Sequence, residues 1–250
     1  MTMTASILPA RDGRGGELGV RVMALILAVG VVSGISAFTT RLQTALTQES
    51  HRFLAADAVV RSSREMPASW LERGAQAGLR QALTLTFPSM VYAGEDSMHL
   101  ASVKAVSRAY PLRGELTFSE QPFGKVLVAD AGPQPGEVWL ESRLFPLLDV
   151  AIGDQVMIGE AEFVVAAAAR TEPDQAASFS GYGPRVLMHY SDIPATGVVQ
   201  PGSRVQYRQL YAGPPEVMAE FQGWLKTRLE DGQTLLDVNE GQPGIGSALD

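Results

Sequence analysis

VMALILAVGVVSGISAFTT, residues 22–40, is uncharged and sits between Arg21 and Arg41. At about 1.5 Å of rise per residue a helix of this length spans roughly 28 Å, against about 30 Å for the hydrocarbon thickness of a bilayer. No second run of this kind follows in the 250 residues. The stretch reads as one transmembrane helix near the N-terminus, with the bulk of the chain on one side of the membrane. Two other readings stay open. Its apolar core, residues 22–32, has the length of a signal-peptide h-region, and Gly34-Ile35-Ser36 or Ile35-Ser36-Ala37 supplies the small residues of a cleavage site. A buried core helix is the third reading, and the lack of a polar face argues against it. After the span, Leu42, Ala45, Leu46, Phe53 and Leu54 keep near-helical spacing, and residues 41–56 contain neither Gly nor Pro. That favours a stalk helix continuing out of the membrane over an extended cleavage region.

The flanking charges set the orientation. Arg11, Arg14 and Arg21 precede the span, while Arg41 and Arg52 follow it with Glu49 between them. The positive-inside bias places the tail, residues 1–21, in the cytoplasm. The bulk then lies outside the inner (plasma) membrane, in the periplasm of a two-membrane bacterium. Apolar residues make up 46% of the chain, enough for a packed core, and the net charge is −7 with no Lys/Arg cluster. That argues against nucleic acid as a partner, because phosphate binding needs a concentrated basic face. The absence of cysteine removes disulfides, zinc-thiolate sites and cysteine nucleophiles together.

The remainder reads as an α+β fold. A strand at 55–61 leaves the stalk, and a helix over 67–83 opens with a capping-box pattern at Ser69 and Glu72. Strands at 83–92 and 99–107 pair around a turn at 93–96. From 121 to 183 the chain breaks into short apolar runs cut by Gly, Pro and Asp: 125–129, 137–140, 155–158 and 162–169. These predict a small β-rich subdomain with a helical turn at 142–148 and a mobile loop over 170–183. A second mixed unit follows, with strands at 185–190, 204–211 and 234–238. Its helix is opened by Pro214 and Pro215 and carries Val217, Met218, Phe221, Trp224, Leu225 and Leu229 on one face. The predicted organisation is therefore tail 1–21, transmembrane helix 22–40, stalk 41–56, a discontinuous α+β subdomain over 57–120 and 184–240, and the β-rich insert 121–183. Residues 241–250 read as the start of a return toward the membrane, cut short as in a fragment of a longer protein.

No catalytic, cofactor-binding or metal site emerges. His51, His99 and His189 share no ligand spacing. Phe123-Gly124-Lys125 lacks the upstream glycine and the hydroxyl residue of a phosphate loop, and no nucleophile elbow occurs. Ser102 and Lys104 share a strand face and have the residue types of a nucleophilic dyad, but a pair of solvent-facing polar residues is the plainer reading. Glu95/Asp96 and Glu230/Asp231 sit at turns or helix ends and read as solvated caps. Arg61-Ser62-Ser63-Arg64 has the chemistry to touch lipid headgroups or an anion, with a polar loop as the plainer reading. Residues 110–114 read as a hinge into the insert.

Several of these runs, in order, resemble one family. The stalk followed by residues 54–64, then Val103-Lys104-Ala105-Val106, then Tyr110-Pro111-Leu112-Arg113-Gly114, is similar to the start of the periplasmic core of MacB/FtsX-type ABC transporter permeases. Residues 153–159 with 162–165 resemble their small β subdomain. Residues 185–197 with 202–205 look most like the YbbP-like branch. The resemblance implies an inner-membrane permease component with further spans, working with a cytoplasmic ABC ATPase that binds the ATP. It implies mechanotransmission of ATP-driven closure to the periplasm and export or extraction of a lipid-like or hydrophobic substrate. It also implies no enzymatic activity and no cofactor on this chain, with membrane lipid and either a second permease copy or a periplasmic protein as further partners. The alternative is a single-span periplasmic binding or adaptor module.

Overall fold

The structure is a computed structural model describing residues 23, 25–27, 29–31, 33–35, 55–94, 97–174, 183–200 and 202–237. The chain divides into two units, Met1–Thr47 and Gln48–Asp250. In the first, the described residues between 23 and 35 are helical, and Leu25, Ile26, Leu27 and Ile35 are exposed. Among the described residues no helix is long and apolar enough to cross a membrane. The ends of the expected span, the tail 1–21, stalk residues 41–54 and residues 241–250 lie outside the described residues. Ala55 and Ala56, expected at the end of the stalk helix, instead form a turn, with Ala55 at φ 57°.

The second unit is built on a large mixed sheet. Its strands are β1 (Ala58–Ser62), β2 (Arg80–Ala93), β3 (Ser97–Val106), β4 (Leu116–Ser119), β5 (Leu127–Ala129), β6 (Glu137–Glu141), β7 (Gln155–Ile158), β8 (Ala161–Thr171), β9 (Arg185–His189), β10 (Gln206–Ala212) and β11 (Gln233–Asp237). The helices are α1 (Ala68–Gln76), α2 (Leu144–Leu148), α3 (Ile193–Thr196) and α4 (Pro215–Lys226). The order across the sheet is β11-β1-β10-β2-β3-β9-β6-β8-β4-β5. β9 runs parallel to β3, and β6 parallel to β8.

One pairing changes the architecture. β7 bonds to β8 on one side and, through Val91–Ile158 and Tyr92–Met157, to β2 on the other. The path β2-β3-β9-β6-β8-β7 thus returns to β2 as a closed ring. Closure satisfies strand edges that would otherwise be unpaired. The ring interior is filled by side chains such as Phe87, Val103, Leu140, Val165, Val186 and Met188, with Leu144, Phe145 and Leu148 of α2 packed into the same cluster. The strands predicted for residues 121–183 and those flanking them are therefore hydrogen-bonded into one sheet, joined where β9 lies between β3 and β6, where β7 pairs with β2, and where β4 pairs with β5 and β8.

Beyond the ring, α1 and α4 cover one face of β1, β10 and β11. Trp70, Met218, Phe221 and Leu225 pack on Val60, Tyr211 and Leu235. Burying one such large side chain contributes roughly 1.5–3 kcal/mol. The helix expected over 67–83 is shorter. Gly78 at φ 74° ends it, and the chain becomes strand from Arg80. The predicted capping box does not form, because Pro67 is the N-cap and Ser69 already lies inside the helix. The opposite face of β1 and β10, carrying Val59, Leu210 and Ala212, packs with Tyr110, Leu112 and Leu116. Residues brought together on this second face form the most concentrated polar cluster described.

Candidate functional site

Alternation along β3 sends Val103 and Ala105 into the ring and leaves Ser102, Lys104 and Val106 on its outside. That outer face is not solvated. Lys104 is 3% exposed, covered by Tyr110 from the β3–β4 connection and by Glu172 and Asp174 from the segment after β8. Its ammonium donates to Glu172 Oε2 at 2.9 Å, Asp174 Oδ1 at 2.6 Å and the Tyr110 hydroxyl at 2.8 Å. It also stands 4.5 Å from the centroid of the Tyr110 ring. Tyr110 donates its own proton to Asp174. From β10, Arg208 Nη1 donates to Asp174 Oδ2 at 2.5 Å. From β9, Arg185 Nη1 donates to Glu172 Oε1 at 2.9 Å, and its Nε reaches Glu141 Oε2, at the end of β6, at 3.2 Å. Three cations therefore meet three carboxylates across β10, β3, β9 and β6.

The local electrostatics follow from this pairing. Burial pushes the Asp174 carboxyl up, but Lys104 and Arg208 outweigh it and hold the group below its ordinary value of 3.8. Burial, reinforced by Asp174 and Glu172, raises the Tyr110 phenol well above its ordinary 10.0. At neutral pH the cluster thus holds an ionised Asp174 and a neutral Tyr110. Its carboxylates are all engaged by cations, so the cluster is a lock between strands with no spare base. Glu141 is likewise pushed up by burial but lowered on balance by hydrogen bonds from Arg143 and Arg185.

A second feature lies on the outside of the ring. Tyr92 of β2 stands in register with Met98 of β3 on one side and Met157 of β7 on the other, and Met90 with Leu100. Met98, Leu100, Met157 and Val164 are exposed, giving an apolar stripe across β3, β2, β7 and β8. A cavity of about 410 Å³ is lined by Leu85, Ile193, Tyr190, Tyr207 and Glu65. Burial, with Tyr207 and Glu65 nearby, pushes the Tyr190 phenol up to about 12.

Relatives of the chain carry the next step. It is 35% identical over 240 residues, 96% of its length, to an uncharacterised ABC transporter permease, YbbP, of Escherichia coli strain K12. The chain is a YbbP-like ABC transporter permease homologue. It spans about 29% of that relative's length. No protein-family model matches it. The periplasmic region of MacB from Actinobacillus actinomycetemcomitans is similar in structure at 12% identity and a TM-score of 0.48, covering 76% of this chain and 92% of that one. The extracellular domain of the noncanonic ABC-type transporter YknZ from Gram-positive bacteria is similar at 9% identity and a TM-score of 0.46, covering 72% of this chain and 100% of that one.

In the permease homologue, the residues singled out by sequence fall as follows. Ser102 and Lys104 share a face as expected, but both are buried, not solvent-facing, and the Lys104 donors go to Tyr110, Glu172 and Asp174, so no dyad is assembled. The expected hinge at 110–114 is tied down. Leu112 and Arg113 both donate backbone N–H groups to Ala55 O, and Arg113 grips Asp57 at 2.9 and 2.8 Å. Of the expected mobile loop, Arg170 and Thr171 belong to β8, and Glu172 and Asp174 are buried in the cluster, while 175–182 lie outside the described residues. Within Arg61-Ser62-Ser63-Arg64, Ser62 is buried and accepts from Arg64 N, and Arg64 donates to Asp231 O. His189 bonds Ser191 through Nδ1. His51 and the Glu95/Asp96 pair lie outside the described residues. Among the described residues no group of three His, Cys, Asp or Glu is placed to hold a metal.

Sequence reasoning missed the cluster as a unit. One signal was present in the run ASVKAV, residues 101–106: apart from Lys104, both alternating sets are apolar or small, the pattern of a strand covered on both faces. A lysine inside such a run needs a buried counter-charge. Its partners lie 68 and 70 positions away, beyond any local pattern.

Proposed function

We propose that this chain is a membrane-anchored part of a MacB/FtsX-type ABC transporter permease. In this reading residues 22–40 span the inner membrane, the N-terminus is cytoplasmic, and the Gln48–Asp250 unit is periplasmic. A partner ABC ATPase binds and hydrolyses ATP, and the periplasmic unit receives the resulting motion. The chain itself is not an enzyme, carries no cofactor and does not bind nucleic acid. The observation that carries the reading is 35% identity to a permease across 96% of the chain. The closed ring and the buried cluster support it physically, since motion is transmitted by elements that move as rigid bodies.

A lipid-like or hydrophobic substrate is supported by the stripe of Met98, Leu100, Met157 and Val164, which offers such a molecule apolar contact. The test is cell fractionation with epitope-tagged protein. The expected result is recovery in the inner membrane, protease access to the C-terminal unit only from the periplasmic side, and co-purification of an ABC ATPase in detergent. Release of a soluble domain after cleavage near Ala37, with no ATPase retained, defeats the proposal. A photoreactive acyl probe that labels Met157 supports the substrate class, and labelling spread evenly over the surface removes it.

A further inference from the structure

Among the described residues, three buried side-chain polar atoms lack a hydrogen-bond partner: Thr84 Oγ1, Arg208 Nε and Arg208 Nη2. They belong to one cross-strand pair, because Thr84 of β2 stands directly opposite Arg208 of β10. Side chains so placed leave the same face of the sheet with Cβ atoms about 4.5–5.5 Å apart. Thr84 is 1% exposed and Arg208 2%, so bulk solvent serves neither. Arg208 Nη1 is engaged with Asp174 Oδ2. The other two donors, Nε–H and Nη2–H, form the opposite edge of the planar guanidinium, where two parallel N–H bonds converge on one acceptor. An ionised fork without an acceptor in a buried site is strongly unfavourable, and so is a buried hydroxyl without a partner.

We infer that one buried water molecule sits on this edge, accepting from Arg208 Nε–H and Nη2–H and donating to Thr84 Oγ1. Three converging polar groups are what an internal water requires. Charge decides between water and an anion of similar size. Asp174 already compensates Arg208, and the buried cations Lys104, Arg185 and Arg208 are matched by Glu141, Glu172 and Asp174, while Arg143, which also bonds Glu141, is exposed to solvent. An anion would leave an unmatched negative charge in a buried cluster, whereas water adds none. The water extends the lock one strand further, joining β2 to the ions that already connect β10, β3 and β9.

Two measurements on the 250-residue chain in mild detergent test this. In a crystal structure at about 1.8 Å, a single spherical peak within hydrogen-bond distance (about 2.7–3.2 Å) of Nε, Nη2 and Oγ1 is expected. Absence of the peak overturns the inference, and so does an anomalous signal there after bromide exchange, which identifies an anion. Thr84→Val, nearly isosteric, takes away the acceptor for the water's proton and is expected to lower the urea midpoint. If the hydroxyl has no partner at all, the same change removes a buried unsatisfied group, so the midpoint stays or rises and the inference fails. Should Thr84→Val not fold, the peak in the parent chain decides alone.

Discussion

Replacing Lys104 with methionine probes the buried cluster most directly. Methionine keeps an unbranched chain of similar length, so the change removes the ammonium with little loss of packing. The ammonium makes three hydrogen bonds, two of them to carboxylates that are 4% and 0% exposed. Breaking a buried ion pair on one side costs about 3–5 kcal/mol, because the remaining charge is left uncompensated. Here the loss falls near the lower end, since Glu172 keeps Arg185, and Asp174 keeps Arg208 and Tyr110. With a urea slope of about 2 kcal/mol per molar, a loss of about 3 kcal/mol lowers the midpoint by roughly 1.5 M. Urea titration followed by near-ultraviolet circular dichroism is the assay. Adding Glu172→Gln to the variant removes one of the stranded charges, so the double variant is expected to lose less than the sum of the single changes by about 1 kcal/mol. A single variant whose midpoint stays within about 0.3 M of the parent, roughly 0.6 kcal/mol on the same slope, would refute the reasoning.

The same cluster sets a pH dependence. Asp174 is held below its ordinary 3.8, so its contribution is complete above about pH 4 and is lost as pH falls through the lowered value. Acid titration of the parent and Lys104→Met should therefore converge as pH falls through the lowered value, and a gap that widens on acidification counts against the assignment. Tyr110→Phe removes a buried hydroxyl bonded to two charged groups and is expected to cost about 1.5–3 kcal/mol in thermal or urea unfolding. Asp57→Ala strands both Arg113 and the Gly213 N–H, so a loss of about 1.5–3 kcal/mol is expected by urea titration. In Gly159→Ala the new methyl lies 2.0 Å from Thr196 O at a φ of +62°, so the backbone must shift. A loss above about 1–2 kcal/mol, read as a drop in Tm, is expected from the left-handed conformation and the clash together.

Most individual elements were legible. The alternation in residues 83–92 and 99–107 predicted the β2–β3 pair, and the double proline with its 3.6-residue apolar face predicted α4 to within a residue of its start. The helix over 67–83 ran too long because apolar residues from Leu79 onward suit a strand as well as a helix, and Gly78 alone marked the change. The hinge reading of 110–114 failed for a different reason. Proline and glycine mark a turn, but not whether its side chains are then buried by another part of the chain, as Tyr110 and Leu112 are.

By itself the sequence determined what depends on neighbours along the chain: an uncharged 19-residue run, the strand and helix periods, and the resemblance to ABC transporter permeases. Tertiary structure decided what depends on distant pairs. Closure of the ring rests on two residue pairs between β7 and β2. The ion cluster draws Lys104, Arg185 and Arg208 from three strands onto acids of two other segments. Hydrophobic periodicity is a local property that one strand can carry alone. A buried charge is tolerable only when a partner arrives from elsewhere, so whether Lys104 faces water or an aspartate was settled only when the strands came together.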